Sequence, residues 1–194
     1  RGLGDVYKRQ GMEYSELEAV VTGVGPGPFT GLRVGMATAS ALADALSIPL
    51  HGICTHDAIA AAAELHLDSA AAADEATALG ATDARRKEIY WATYRATDSG
   101  VQRTSGPAVT KPAELEVELA STAQVIIPDR LAEQLPEKLA ALPHRAAHPT
   151  AEALVAAADL EAEPAPVVPL YLRRPDAVPP KQQQLSAAIP KVEL

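Results

Sequence analysis

Aromatic residues, cysteines and basic residues are all scarce in this chain of 194 residues, and each shortage limits what the chain can be. Aromatic side chains make up only 4% of the sequence, so a core must be packed mainly from alanine, leucine and valine. The single cysteine, Cys54, cannot form an internal disulfide, which is typical of a reducing cytoplasm. No apolar run approaches the length of a membrane span, and we expect a cytoplasmic protein without a secretory signal.

Basic residues are also fewer than acidic ones, so the formal net charge is −8 at pH 7. Proteins that bind nucleic acid on their own usually carry a basic patch, because phosphate contacts supply most of the affinity. The sequence shows no strong patch of this kind. We therefore expect that any RNA is held through a partner.

The first ten residues, RGLGDVYKRQ, differ in composition from the rest of the chain. They contain three basic residues and no starting Met, whereas the following sequence is acidic and rich in alanine. We expect residues 1–10 to be a non-native leader, and the fold prediction leaves them out.

The stretch VVTGVGPGPFTGLRVGMATASALADAL predicts a strand, a tight glycine turn and a helix. The strand is predicted over residues 17–24, and four residues of glycine and proline end it. The helix is predicted from Thr30, as its N-cap, to Leu46. One apolar stripe recurs along it at helical spacing: Leu32, Met36, Ala39, Ala43 and Leu46. A second strand in PLHGIC follows, and then an alanine-rich helix that Thr55 caps and that ends near Leu67.

The second half of the chain predicts a hairpin-rich region. TALGATDARRKEIYWATYRAT is typical of two strands joined by a charged turn at residues 85–87, and GVQRTSGPAVT of a third strand. We expect a short helix in KPAELEVELA, a strand in AQVIIPD, and helices in RLAEQLPEKLAAL and TAEALVAAADLEA. Strands that alternate with helices, together with a hairpin, predict the α/β class with mixed sheets.

The glycine turn has the layout of a phosphate cradle, in which free N–H groups and the helix dipole favour an anion. However, the Walker pattern lacks its Lys-Ser/Thr pair, and the G-x-G-x-x-G fingerprint is absent. Pro26 and Pro28 each remove a backbone donor. We therefore favour a rigid strand-to-helix turn, after which Gly31 and Gly35 let the helix pack closely.

Metal ligands and nucleophiles are weakly indicated. His144 and His148 have i, i+4 spacing, but they lie between prolines and lack a nearby acidic or cysteine ligand. We expect no metal site, and we expect His51 and Cys54 to be packing residues of a strand. Cys54 and His56 are close in sequence, yet a catalytic dyad needs an activated thiolate, which the sequence does not indicate.

The sequence from Gly25 resembles the signature of the TsaB (YeaZ) family, in which G-P-G-S/T-F-T-G-L-R-x-G begins a helix. ATDARRKEIYWATY is similar to the hairpin that opens the second lobe of that family, and PLYLRRPDAVPPK to its C-terminal tail. Pro28 stands where the family usually has Ser. The motif positions carried over are Gly25, Pro26, Gly27, Phe29, Thr30, Gly31, Leu32, Arg33 and Gly35.

The resemblance implies an actin-like, duplicated ribonuclease-H-type fold. It also implies a non-catalytic role in making threonylcarbamoyladenosine at position 37 of tRNA, without a cofactor. The implied partners are the catalytic homologue TsaD, the ATPase TsaE or a second copy of the chain, with tRNA contacted only through the complex. The first lobe looks incomplete, because only about sixteen residues precede its glycine-turn strand. We expect a remnant of the first lobe at 11–70, the second lobe at 75–175 and an extended tail at 176–194.

The resemblance also bears on catalysis. TsaD carries an H-x-x-x-H metal pair after the strand that follows its glycine motif, and Thr55 and Ile59 fall at those two positions here. Asp83 lies at the hairpin, where actin-like ATPases place an acid near phosphate. The leading interpretation is a scaffolding subunit, and the alternative is an actin-fold ATPase or carbamoyltransferase that acts through the glycine turn. A dinucleotide-binding domain is less favoured, and nothing indicates the peptidase chemistry of an older family label.

Two surfaces are candidates for partner contact. The resemblance assigns partner binding to the helix after the glycine turn, and spacing alone does not decide between its two apolar faces. The residues of the two faces are Leu32, Val34, Met36, Thr38, Ala39, Ala41, Ala43, Ala45 and Leu46. The other candidate is the basic cluster of Arg173 and Arg174 with residues 85–87, for which contact with tRNA or with an acidic partner and plain solvated charge remain open.

Overall fold

The computed structural model describes residues 13–63, 77–97, 100–115 and 122–173. Its first part contains β1 (Val20–Gly25), α1 (Phe29–Leu46), β2 (Leu50–Cys54) and α2 (Thr55–Ala62). Its second part contains β3 (Thr77–Arg85), β4 (Glu88–Thr97), β5 (Gly100–Thr110), β6 (Thr122–Ile126), α3 (Asp129–Ala132), α4 (Glu137–Ala140), β7 (His144–Arg145) and α5 (Ala151–Ala156). Short 3₁₀ turns lie at Tyr14–Glu16 and Pro112–Glu114.

The first sheet consists of β1 and β2, which pair in parallel with Val20 opposite Leu50. Helix α1 connects the two strands and turns its apolar stripe toward the sheet, with Met36, Ala39 and Ala43 buried. The predicted order of strand, turn, helix and strand is therefore confirmed.

Three predicted boundaries in this part are wrong. Strand β1 begins at Val20 rather than at residue 17. Helix α1 begins at Phe29 with Pro28 as its N-cap, because the Pro28 carbonyl already accepts the Leu32 amide at 2.9 Å. Likewise, the N-cap of α2 is Cys54 rather than Thr55. Of the predicted extent of α2 to Leu67, the part beyond residue 63 lies outside the described residues.

The second sheet has five strands in the order β5-β4-β3-β6-β7. The β3–β4 and β4–β5 pairs are antiparallel, whereas β3–β6 and β6–β7 are parallel, so the predicted mixed sheet is confirmed. Residues 85–87 form the turn between β3 and β4, and all three have positive φ angles of 52–62° without any glycine. Side chains other than glycine rarely adopt this backbone region, so the charged turn stores backbone strain.

The predicted helices of the second part are shorter than expected. The segment KPAELEVELA contains a 3₁₀ turn at Pro112–Glu114, and its residues after 115 lie outside the described residues. RLAEQLPEKLAAL is split into α3 and α4 because Pro136 cannot continue a helix. In α5, the Thr150 hydroxyl accepts the Ala153 amide at 3.1 Å and caps the helix.

The core lies on both faces of the second sheet, because successive residues of β3 point to opposite sides. One cluster packs Leu79, Ile89 and Val125 against the leucines of α3 and α4. The other packs Ala78, Ala92 and Tyr94 against Ile59, Ala60 and Ala63 at the end of α2. As expected from composition, alanine and aliphatic residues fill most of both clusters.

Candidate functional site

The glycine turn is a rigid, packed connection. Gly25 has a φ of +95°, and a Cβ at this position would lie 3.1 Å from Leu32 Cδ2 and 3.5 Å from the Leu170 carbonyl oxygen. The Leu170 amide donates to the Val24 carbonyl at 2.8 Å, so the segment near residue 170 fixes the turn from the other side. Of the turn's glycines, Gly25 is the one whose conformation requires glycine.

A cleft of about 430 Å³ opens beside this turn. Its walls come from the start of α1, from the β3–β4 hairpin and from the segment that ends at Arg173. The lining residues are Gly27, Pro28, Phe29, Thr30, Asp83, Ala84, Arg85, Tyr90, Leu170, Tyr171, Leu172 and Arg173. The volume is in the range of small-molecule sites in proteins.

An aromatic and arginine stack forms the rim of the cleft. The ring centroids of Phe29 and Tyr171 lie 5.3 Å apart. The Arg33 guanidinium lies 4.0 Å from the Phe29 centroid and 5.6 Å from that of Tyr171. Its Nε donates to the Tyr171 hydroxyl at 2.7 Å. Sequence reasoning missed this group because 138 residues separate Arg33 from Tyr171; the one available signal was the single phenylalanine of an aromatic-poor chain.

Charged pairs occupy the hairpin wall of the cleft. The Asp83 carboxylate accepts the Arg85 amide at 2.6 Å and lies 3.4 Å from an Arg130 guanidinium nitrogen. The Arg173 guanidinium forms an ion pair with Glu88 and donates to the Ala84 carbonyl. Arg173 is therefore a largely buried structural cation rather than solvated charge, whereas Arg174 lies outside the described residues.

His56 lies beneath the hairpin and is completely buried. Its Nε2 lies 3.2 Å from the Tyr90 carbonyl oxygen and 3.2 Å from Thr82 Oγ1. Since a carbonyl can only accept, Nε2 carries the proton, and the buried Nδ1 has no hydrogen-bond partner among the described residues. Burial lowers the pKa of His56 to about 4, so the imidazole is neutral.

A second polar group surrounds the half-buried Asp57. The Tyr94 hydroxyl donates to its carboxylate at 2.9 Å, and Arg103 lies 3.3 Å away. Burial raises the pKa of Asp57, although Arg103 and Tyr94 oppose the shift. Burial also raises the pKa of the Cys54 thiol, with a smaller contribution from Asp57. A thiol held protonated in this way is a poor nucleophile, which agrees with the expectation that Cys54 is a packing residue.

Thr55 and Ile59 stand at the two positions where TsaD carries its histidine pair, and neither residue type is a usual metal ligand. Ile59 is a buried core residue and Thr55 is the first residue of α2. His144 lies in the short strand β7, so helical i, i+4 geometry with His148 does not arise. Within the described ranges, no group of three or more His, Cys, Asp or Glu residues could hold a metal ion.

Helix α1 presents its second apolar face to solvent. The exposed members of this outer face are Val34, Thr38, Ala41 and Ala45. Gly31 and Gly35 lie alongside them, and a Cβ built at either glycine would have no described residue within 4 Å apart from the helix's own backbone and the glycine's chain neighbours. The expectation that these glycines let the helix pack closely is therefore wrong for the described part of the chain. None of the described helices is long and apolar enough to cross a membrane.

Comparison with known proteins shows similarity along most of the chain. The family model described as "TsaD: tRNA N6-adenosine threonylcarbamoyltransferase" matches residues 3–160. An uncharacterised protein of Mycobacterium leprae is 47% identical, over 84% of this chain and 40% of its own length. An uncharacterised protein of Mycobacterium tuberculosis is 45% identical, over 85% of this chain and 68% of its own.

Escherichia coli TsaB, a tRNA threonylcarbamoyladenosine biosynthesis protein, is 34% identical over 56% of this chain. The match spans 45% of the E. coli protein. The structure of YeaZ from Pseudomonas aeruginosa superimposes with a TM-score of 0.68 at 24% identity, over 88% of this chain and 80% of YeaZ. Together with the mixed sheets described above, this likeness shows an α/β fold of the YeaZ type.

Proposed function

This chain is a TsaB/YeaZ-like member of the family described as TsaD, tRNA N6-adenosine threonylcarbamoyltransferase, and from that membership we propose that it takes part in making threonylcarbamoyladenosine in tRNA. More specifically, it is a non-catalytic subunit that binds and activates the catalytic homologue TsaD, together with the ATPase TsaE. Its fold is the actin-like arrangement of two lobes, with the cleft between the glycine turn and the hairpin lying between them. It meets tRNA within that complex.

The non-catalytic role rests on what stands where TsaD has its histidine pair. Thr55 and Ile59 occupy these positions, and Ile59 is fully engaged in the core. The neighbouring His56 is committed to Tyr90 and Thr82 beneath the hairpin. These contacts make the histidine a structural group, because a metal ligand must reach a shared site with other donors.

The observation that carries partner binding is the outer face of α1. Over its 18 residues the helix has two charged residues, Arg33 and Asp44, and neither is part of the outer face. Val34, the first member of that face along the chain, is 61% exposed. A glycine inside a helix costs about 0.5–1 kcal/mol relative to alanine. No contact within the described chain offsets this cost at Gly35, whereas a close-packed partner helix would.

A pull-down of TsaD with two outer-face variants tests this surface. Ala41→Glu and Ala45→Glu should abolish binding, because an unpaired buried charge costs several kcal/mol at an interface. Ser40→Glu is the matched control, since Ser40 is exposed on a different side of the same helix. Circular dichroism checks that all three variants fold. Normal TsaD capture by both Ala41→Glu and Ala45→Glu would contradict the assignment. Sedimentation of the same two variants tests whether a second copy of the chain binds at this face.

One observation favours a second candidate, an actin-fold ATPase or carbamoyltransferase. The cleft borders the start of α1 at Gly27 and Thr30, beside Asp83 of the hairpin. However, Asp83 is already engaged by Arg130 and by a backbone amide. Isothermal titration of the purified chain with ATP and Mg²⁺ separates the two candidates. The scaffolding role predicts no saturable heat, whereas micromolar binding with turnover would support the enzyme.

A further inference from the structure

The rim of the cleft has a composition unlike the rest of the molecule. The chain contains seven aromatic residues in all, one Phe, one Trp and five Tyr. Three of them, Phe29, Tyr90 and Tyr171, line this one cleft. Phe29 is 44% exposed and Tyr171 is 42% exposed. Large aromatic side chains usually contribute to the core, so exposing two of them at one place points to a binding surface.

Charge is segregated at the same place. Among the described residues, four arginines line the cleft or contact its lining: Arg33, Arg85, Arg130 and Arg173. Two of them pair with carboxylates, Arg130 with Asp83 and Arg173 with Glu88, so these six residues carry an excess of two positive charges. Arg86 and Lys87 continue the exposed turn that Arg85 begins. In a chain with a net charge of −8, this local excess attracts an anionic ligand.

The stack is also held in place before any ligand binds. Arg33 lies over the Phe29 ring and donates to the Tyr171 hydroxyl, while the Leu170 amide and the Arg173 guanidinium anchor the segment on either side of Tyr171. Flat, partly exposed rings beside arginines are the groups on which unpaired nucleobases stack, with arginine and lysine taking the phosphates.

We propose that this rim, formed by Phe29, Arg33 and Tyr171 with the turn at residues 85–87, contacts unpaired nucleotides of an RNA loop. A base stacks on the aromatic rings, and the cations of the turn hold the adjacent phosphates. The proposal rests on the proposed function, since the RNA would be the tRNA being modified. It gives the subunit its own RNA contact inside the complex.

The test uses the purified full chain and a fluorescein-labelled RNA hairpin that carries a tRNA anticodon loop, with binding followed by fluorescence anisotropy. Phe29→Leu removes the ring and should weaken binding by about 5- to 100-fold, whereas Phe29→Trp keeps a stacking surface and should bind within about 2-fold of wild type. Equal binding by wild type and Phe29→Leu would overturn the stacking contact.

Two charge-reversal variants, one in the turn and one control, test whether the turn contacts phosphate. Arg85→Glu should weaken binding about 10-fold at low salt and flatten the salt dependence, because counterion release drives phosphate contacts. The Asp83 contact of this residue uses its backbone amide, so the substitution leaves that contact in place. Arg95→Glu is the control, since Arg95 is exposed at the opposite end of the hairpin. Equal losses in the two variants would overturn the assignment of the phosphate contact to the turn.

Two further binding experiments, one with duplex RNA and one with AMP as competitor, identify the class of ligand. A fully paired RNA duplex should bind weakly and show no difference between wild type and Phe29→Leu. AMP should fail to displace the hairpin at equal concentration; if it binds more tightly than the RNA, the cleft is a free-nucleotide site and the proposal is wrong. TsaD capture depends on the outer face of α1 rather than on the rim. Absent hairpin binding with normal TsaD capture therefore overturns this inference alone and leaves the proposed function standing.

Discussion

At the scale of single residues, His56 shows how burial fixes a side chain in one protonation state. Because burial holds the pKa of the folded state at about 4, below the ordinary value of 6.5, the unfolded chain binds the proton more readily. His56 therefore does not lower the free energy of unfolding above pH 6.5. As the pH falls from 6.5 toward 4, the free energy of unfolding decreases because the unfolded chain takes up a proton that the folded chain does not. The loss amounts to about 3 kcal/mol, at about 1.36 kcal/mol for each pKa unit.

Urea unfolding at pH 7 and at pH 4.5 measures this loss, with His56→Gln as the comparison. Glutamine keeps a donor for the Tyr90 carbonyl but does not titrate. We expect wild type to lose more stability than the variant on acidification. Asp57 and the other carboxylates are present in both proteins, so the difference isolates His56. Parallel losses in the two proteins would show that His56 does not govern the acid response.

Arg173 makes a second prediction at this scale. Its ion pair with Glu88 is largely buried, with side-chain exposures of 24% and 28%, and joins the C-terminal segment to the hairpin. Arg173→Ala should lower the free energy of unfolding by about 1–2 kcal/mol, since hydrogen bonds to charged groups contribute more to stability than hydrogen bonds between neutral groups. A double-mutant cycle with Glu88→Gln measures the coupling. Strictly additive losses in the cycle would mean that the pair contributes no interaction energy.

At the scale of elements, two glycines of the same motif should respond to alanine in opposite directions. Gly35 is helical and open, so Gly35→Ala should raise the free energy of unfolding by about 0.5–1 kcal/mol. Gly25 has a positive φ and lies against Leu32, so Gly25→Ala should lower it by about 1–3 kcal/mol. Chemical denaturation of both variants checks the signs. A destabilising Gly35→Ala would mean that this glycine already packs within the chain.

Local patterns predicted elements well where the determinants were close in sequence. The glycine turn, its helix and the hairpin with its charged turn follow from strand breakers and apolar spacing, and the structure confirms all three. Boundaries failed where backbone geometry decided them, as when the Pro28 carbonyl rather than the Thr30 side chain began α1. Which face of α1 meets the sheet also required the structure, because both faces are apolar.

At the scale of the whole molecule, the cleft could not be predicted, because contacts between distant residues build it. Arg33 contacts Tyr171, Val24 contacts Leu170 and Glu88 contacts Arg173, although at least 85 residues separate the members of each pair. No periodicity encodes such pairs. The proposed lobe boundaries at 11–70 and 75–175 stay predictions, and the tail at 176–194 lies outside the described residues.

The proposed function concerns the whole molecule as well: we propose that this chain supports tRNA modification without catalysing it. The most direct test is mass spectrometry of threonylcarbamoyladenosine formed from tRNA and the threonylcarbamoyl-adenylate donor. We expect no product from the chain alone, and with TsaD and TsaE present we expect more product when the chain is added than when it is omitted. Robust product from the chain, donor and tRNA without TsaD would contradict the account.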